Sequence, residues 1–386
     1  MRSTSSLLFV LLILAACGDP TTEEPPIEQE VTQEIDCEAV PQTTPDFDTT
    51  LATNLQNSLE RHLETSGSPG VAAMVVTPSG ARWYGAAGVS NADTGEPMTP
   101  AAHFRVGSVT KTMVSAAALL AQQEGLLDMK DSVDAHVPGW SLGPDRTLET
   151  VLNHTSGVFN YTDDAAFLGR AYTDTPPSEV IDFALRREHA FEAGQGYLYS
   201  NTGYFLAGLA LESVEDKPLH QILRQRLLEP AGLEHMFMEE YEEAVCPVSQ
   251  GHILGDPGPT EGFSASWSWA AGGVVSNLDD LCGWAEFLTR GGLLQEDTFE
   301  QMLAPTEASR QAREPYGIGL MSTNRGGIEV MGHTGSTMGF TGEVFIHRGS
   351  GLCVAVQTND FFGSPGAFSV PLWQILNVAL GPFPEP

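Results

Sequence analysis

Positive charge is scarce in this chain of 386 residues: 18 Lys and Arg stand against 50 Asp and Glu, a formal charge of −32. Nucleic acids and anionic membrane surfaces are bound through clustered Lys and Arg, so both are excluded as partners. Lysine is scarcest of all, with Lys111, Lys130 and Lys217 the only three. Cysteine is also sparse, at five residues, with no Cys-x-x-Cys or His-x-His spacing. No metal site and no cofactor are therefore expected. The chain has no Gly-x-Ser-x-Gly nucleophile elbow, no His-Glu-x-x-His, no Walker loop and no dinucleotide fingerprint.

The one sustained apolar run outside core-like segments, Leu7 to Leu14, is too short to cross a bilayer as a helix. It follows Arg2 and precedes Ala15-Ala16-Cys17, and resembles the lipobox of bacterial lipoproteins. Residues 1–17 are thus expected to be a signal segment. Cys17 would carry lipid, and the product would be an exported cell-envelope protein held to a membrane only by its acyl chains. Residues 18–45 hold several prolines and many acids but no Lys or Arg, the composition of a disordered, extended tether. A folded domain is expected over 46–383. The remaining cysteines, Cys37, Cys246, Cys282 and Cys353, allow three full pairings and the sequence selects none. Cys353, inside the apolar run Leu352 to Val356, reads as a buried small hydrophobe.

Within that domain, Phe47 to Glu64 reads as a helix stopped by Gly67 and Pro69, followed by a hairpin of strands 71–76 and 81–88. The unit is mirrored at the other end, where strands 342–347 and 351–358 flank Arg348-Gly349-Ser350 and residues 369–380 read as a last helix. Between them the chain is mainly helical. These elements predict an α/β (α+β) fold: an antiparallel sheet built from both chain ends, flanked by helices, with an all-helical lobe inserted within about 110–310.

Chemistry enters at Ser108-Val109-Thr110-Lys111. Met113, Ala116, Ala117 and Leu120 recur at helical spacing from there, so Lys111 lies one turn after Ser108 on the same face. A buried cation is expensive unless it is used, and an amine beside a hydroxyl at a helix start suits an activated serine. The motif alone arises by chance roughly once in a chain of this length, so the rest of the sequence must support it. Tyr199-Ser200-Asn201 provides a phenol whose pKa a nearby lysine would lower, and an amide able to hold a substrate carbonyl. His333-Thr334-Gly335-Ser336, read as a loop ahead of strand 342–347, allows close approach to backbone that could donate an N–H to an oxyanion.

Taken in order, Ser108-Val109-Thr110-Lys111, Tyr199-Ser200-Asn201 and His333-Thr334-Gly335 resemble the three motifs of the class C β-lactamase family of penicillin-recognising serine hydrolases. Phe104-Arg105-Val106-Gly107, Leu152-Asn153-His154-Thr155-Ser156-Gly157, Ala271-Gly272-Gly273-Val274-Val275-Ser276 and Tyr316-Gly317-Ile318-Gly319 are similar to further family stretches. The resemblance covers about 47 to 380 and implies a β-lactamase/transpeptidase-like fold with its site between sheet and helical lobe. It implies Ser108 as nucleophile, Lys111 and Tyr199 sharing the proton work, and Asn201 holding the acyl amide. The N–H groups of Ser108 and Ser336 would form the oxyanion hole, with His333 and Thr334 facing a substrate carboxylate. Histidine at 333 departs from the lysine of class C β-lactamases and is similar to D-alanyl-D-alanine carboxypeptidases and some esterases. Arg325 is a candidate for the missing charge, and Trp269 for the pocket wall or the core. The first expectation is therefore a D-Ala-D-Ala carboxypeptidase-type peptidase acting through an acyl-enzyme. A family esterase or amidase, a β-lactamase, and a non-catalytic tethered binding protein are the alternatives.

Overall fold

The computed structural model describes residues 35–253, 256–260, 262–325, 328–361, 375 and 378–379. The signal segment, Cys17, most of the tether and most of the expected C-terminal helix lie outside the described residues; Ile375, Val378 and Ala379 of that helix are helical.

Helix α1 spans Thr49–Ser66. The Asp48 carboxylate accepts the Leu51 N–H at 2.7 Å and starts the helix, and Gly67, at φ 76°, ends it. Such a cap is worth about 1 kcal/mol. Leu55, Ser58, Leu59 and His62 form its buried stripe.

Seven strands make the main sheet: β1 Gly70–Val76, β2 Arg82–Asn91, β3 Glu96–Pro97, β4 Met321–Arg325, β5 Ile328–Thr337, β6 Phe340–His347 and β7 Cys353–Thr358. Their order is β3-β2-β1-β7-β6-β5-β4, and every neighbouring pair is antiparallel. Both chain ends therefore meet at the centre, where Val71 faces Thr358 and Val76 faces Cys353. Strand β1 is buried at every position and its side chains alternate between two cores. Val71, Ala73 and Val75 join Leu55, Leu59 and Trp83 under α1, whereas Ala72, Met74 and Val76 join the larger core shared with the helical lobe.

Of the helices from Thr110 to Gln311, which lie between β3 and β4 in the chain, Leu278–Thr289 packs on β1, β6 and β7 of the main sheet and most of the others form the lobe. It is not purely helical. Phe104–Arg105, Val274–Ser276 and Phe237–Met238 make a small three-stranded sheet at its junction with the first motif. At its heart, α2 (Thr110–Gln123) buries Thr110 through Leu119 and Ala121, and its partner α3 (Asn201–Glu215) buries Thr202 through Gly208. A helix buried all round needs small side chains, which accounts for the alanines at 116, 117, 118 and 121. Among the described residues no helix is long and apolar enough to cross a membrane.

The expected tether is corrected at its C-terminal end: the compact unit runs from Asp36. Cys37 is disulfide-bonded to Cys246. The Thr44 N–H donates to the Arg82 carbonyl at 2.9 Å, and the Tyr84 N–H donates to Thr43 Oγ1 at 3.2 Å. Acidic, proline-rich composition argues against an autonomous core, but it does not prevent ten residues being pinned by a covalent bond and a strand edge. Cys282 and Cys353 are free and buried, as the apolar setting of Cys353 leads one to expect.

Candidate active site

Ser108 sits in the 3₁₀ turn Gly107–Val109 that leads into α2. Two glycines place that turn. Gly107 has φ 51°, and a Cβ there would lie 2.6 Å from the Ser336 nitrogen. A Cβ on Gly335 would lie 1.9 Å from the Val106 carbonyl oxygen. Backbone therefore crosses backbone directly, and the amides of 108 and 336 become neighbours, as an oxyanion hole requires.

Lys111 is fully buried, and its Nζ lies 2.9 Å from Ser108 Oγ while donating to the Ala271 carbonyl at 2.7 Å. The same nitrogen stands 5.0 Å from the centre of the Tyr199 ring and 5.2 Å from that of Tyr204. Among the described residues no carboxylate contacts it, and burial lowers its pKa well below the usual lysine range. Tyr199 moves the opposite way from the expectation: desolvation raises its pKa, and its interaction with the Ser108 hydroxyl only partly offsets this. The expected lowering assumed a charged lysine beside the ring. Desolvation weakens that charge and the phenolate alike. Burial thus keeps the phenol protonated and shifts the amine toward its neutral form.

The segment carrying Tyr199 is held by a residue not singled out beforehand. His154, in the left-handed region at φ 64° and fully buried, accepts the Ser200 N–H on Nδ1 at 3.1 Å, and its carbonyl accepts the Leu198 N–H at 3.0 Å. Its ring centre lies 4.1 Å from that of Tyr199 and 4.5 Å from that of Tyr316. Only its place in a family-like stretch hinted at this. Tyr204 and Tyr316 likewise come from remote positions: Tyr204 donates to the Leu152 carbonyl at 2.7 Å, and the two hydroxyls lie 3.3 Å apart.

His333 to Ser336 lie on strand β5 rather than in a loop. Adjacent side chains on a strand point to opposite faces, so His333 and Thr334 cannot present together to one carboxylate as expected. His333 is buried, with Nε2 2.9 Å from the Tyr316 hydroxyl and Nδ1 against the Thr334 carbonyl. Burial, followed by the nearby Lys111, lowers its pKa to about 3. It is a neutral partner of Tyr316 and supplies no positive charge. Thr334, half-buried, donates to Met321 Sδ at 3.7 Å. Asn201, the first residue of α3, donates through Nδ2 to Thr162 Oγ1 at 3.1 Å and through its backbone N–H to Asn160 Oδ1 at 2.9 Å. It is therefore anchored two residues from Tyr199. Trp269 is buried against Phe205 and is a core residue. The side chain of Arg325 lies outside the described residues.

These groups suit acyl transfer: a hydroxyl touching a buried amine, a protonated phenol nearby, and the backbone of Ser336 packed against Gly107 beside Ser108. Comparison with known proteins agrees. A family model described as Beta-lactamase matches residues 55–374. A D-aminopeptidase of Gluconobacter oxydans is 25% identical over 304 residues, 78% of this chain and 56% of its own. This chain thus spans little more than half of that relative. A solved D-stereospecific amidohydrolase from Streptomyces sp. is 27% identical with a TM-score of 0.73, covering 84% of this chain and 97% of its own. A D-amino acid amidase from Ochrobactrum anthropi SV3 complexed with D-phenylalanine shares the fold, at TM-score 0.78 and 24% identity over 86% of this chain and 100% of its own. With a mixed α/β fold, an antiparallel sheet flanked by helices, and a family match across most of its length, the chain belongs to the Beta-lactamase family.

Proposed function

We propose that the protein hydrolyses a small amide or peptide bond on a D-configured acyl group, as an amidase or aminopeptidase, through an acyl-enzyme on Ser108. The observation that carries this is the 2.9 Å contact between Ser108 Oγ and a fully buried Lys111 Nζ. The neutral amine takes the hydroxyl proton as oxygen attacks the acyl carbon. Tyr199, protonated and adjacent, passes a proton to the leaving nitrogen, and the pair exchanges roles when water attacks the acyl-enzyme. The N–H groups of Ser108 and Ser336 receive the developing oxyanion, and the Asn201 amide orients the acyl group.

The preference over a D-Ala-D-Ala carboxypeptidase rests on the relatives named D-aminopeptidase and D-stereospecific amidohydrolase. His333, neutral and engaged with Tyr316, attracts a terminal carboxylate less than the lysine of class C β-lactamases would, and so weighs against a β-lactamase. The D configuration is inferred from the D-aminopeptidase and D-stereospecific amidohydrolase relatives. Parallel kcat/KM measurements on a D-amino acid amide, its L enantiomer, a D-Ala-D-Ala peptide, a chromogenic cephalosporin and a p-nitrophenyl ester test the reading. The D-amide should lead and Ser108→Ala should abolish every rate; a faster D-Ala-D-Ala peptide overturns the preference. The proposal includes export and lipidation of Cys17, and mass spectrometry finding an unmodified Met1 in the producing cell would overturn that part.

A further inference from the structure

Away from Ser108, three side chains with metal-binding chemistry, His103, His235 and Cys246, meet beneath the N-terminal segment, and a fourth, Cys37, is bonded to the last of them. His103 Nε2 lies 3.2 Å from His235 Nδ1, and His235 Nδ1 lies 4.0 Å from Cys246 Sγ. One ligand atom each from His103, His235 and Cys246 falls within 4.8 Å of the others. Cys246 is bonded to Cys37, so a second sulfur adjoins the group. The four come from positions 37, 103, 235 and 246, which is why no ligand spacing was visible in the sequence.

We propose that this cluster is a staple with two chemical forms: a disulfide when oxidised, and a Cys₂His₂ site for a divalent d¹⁰ ion of the zinc type when reduced. A tetrahedral zinc with bonds of about 2.05 Å to nitrogen and 2.3 Å to sulfur sets N···N at about 3.3 Å and N···S at about 3.6 Å. The two imidazoles already stand at the first spacing, and Cys246 is within a few tenths of an ångström of the second. A pair of imidazole nitrogens at this distance is also a hydrogen bond, and that is the resting state with the disulfide closed.

The surroundings favour ligation. A hydrogen bond between the His103 ring and the Ala101 backbone holds the imidazole in place while its Nε2 faces His235. Cys246 is almost fully buried, and a parallel bridge between Val248 and His103 fixes the segment that follows it. Cys37 would not drift far once its bond opened, because Thr43 and Thr44 stay hydrogen-bonded to β2 only six residues on. A cavity of about 350 Å³, lined by Cys37, His103 and His235 together with Asp36, Arg82 and Asp279, leaves an approach for an ion and a reductant.

The conversion balances. A dithiol gives two electrons and two protons to the Cys37–Cys246 bond; the sulfur–sulfur bond breaks, two thiols form, and the dithiol becomes its own disulfide. Metal binding then releases both thiol protons to water and forms two metal–sulfur and two metal–nitrogen bonds. In either form residue 37 stays joined to residue 246. Anchorage of the N-terminal segment would therefore survive a change of redox environment wherever the ion is present.

Cobalt(II) titration of the full chain, reduced with a phosphine and desalted without air, tests this. The expected result is one equivalent bound, with a thiolate-to-cobalt charge-transfer band and the intense visible bands of a tetrahedral site, displaced by zinc. The oxidised chain should show neither. His103→Ala and His235→Ala keep the disulfide, so their folding can be checked before reduction, and each should weaken binding at least about tenfold. No uptake by reduced wild type, the same spectrum from the oxidised chain, or an unchanged spectrum in the double histidine variant (which retains Cys282 and Cys353) would each overturn the proposal.

Discussion

The protein contains two buried polar clusters that solve the cost of desolvation differently. Around Ser108, the amine of Lys111, the phenols of Tyr199, Tyr204 and Tyr316 and the rings of His154 and His333 are pressed together, with no carboxylate on Lys111 among the described residues, and burial drives the amine and imidazoles down and the phenols up. Around Cys246, two imidazoles meet sulfurs tied by a covalent bond. The first cluster favours the neutral forms of its groups, the forms that exchange protons. The second removes reactivity from its thiols and uses it for anchorage. The same physics, exclusion of charge from a low-dielectric interior, yields a reactive centre in one place and a clasp in the other.

Breaking either cluster should therefore register on a different axis. Ser108→Ala should eliminate hydrolysis of every acyl substrate while leaving the thermal midpoint nearly unchanged; residual turnover would show another nucleophile. Cys37→Ser or Cys246→Ser, metal-free, should cost about 3–5 kcal/mol of stability, since the bond closes a loop across 209 residues. Urea unfolding reads this, and a loss under about 1 kcal/mol would mean the segment contributes no constraint. Lys111→Ala and Tyr199→Phe should each slow acylation at least about a hundredfold, read by single-turnover kinetics; near-normal rates would remove both from proton transfer.

The comparison can be sharpened with pH. Activity needs Lys111 neutral, so kcat/KM should fall as acidity protonates an amine whose pKa burial has already lowered, and should level off above that pKa. His333, at about 3, protonates too far below neutrality to set this limb. His333→Gln should therefore lower the rate by less than about tenfold, the scale of a single neutral hydrogen bond, and keep the acid limb where it was. Disappearance of the limb would make His333 the titrating base. Stability carries its own sign: His103 is depressed to about 4 from 6.5, so the unfolded chain takes its proton first. The contribution is complete above about pH 6.5 and is lost as pH falls toward 4. A His103→Asn variant should flatten that part of the stability profile.

Local signals carried much of the fold. The capped helix α1, the hairpin β1–β2 and the pair β6–β7 stand close to where turn residues and apolar alternation put them, and the spacing of Ser108 and Lys111 held because one helical turn fixes it. Strand β5 was illegible for a physical reason. Gly332 and Gly335 disfavour extended backbone on either side of Thr334, and pairing with β6, Gly332 opposite Phe345 through Thr337 opposite Phe340, imposes it. Strand β4 was missed alongside it. The partner of Cys37 and the companions of Tyr199 come from distant segments, where no local pattern can announce them. The direction of the Tyr199 shift was misjudged because a neighbouring charge was weighed without the dehydration both groups share.

The crossing of Val106-Gly107 over Gly335-Ser336 has a further implication. Where main chain rests on main chain, no rotamer can relax to absorb a change, and any methyl added at 107 or 335 collides with an atom that cannot swing aside. A side chain at either position would therefore have to push the two stretches of main chain apart, and with them the amides of Ser108 and Ser336.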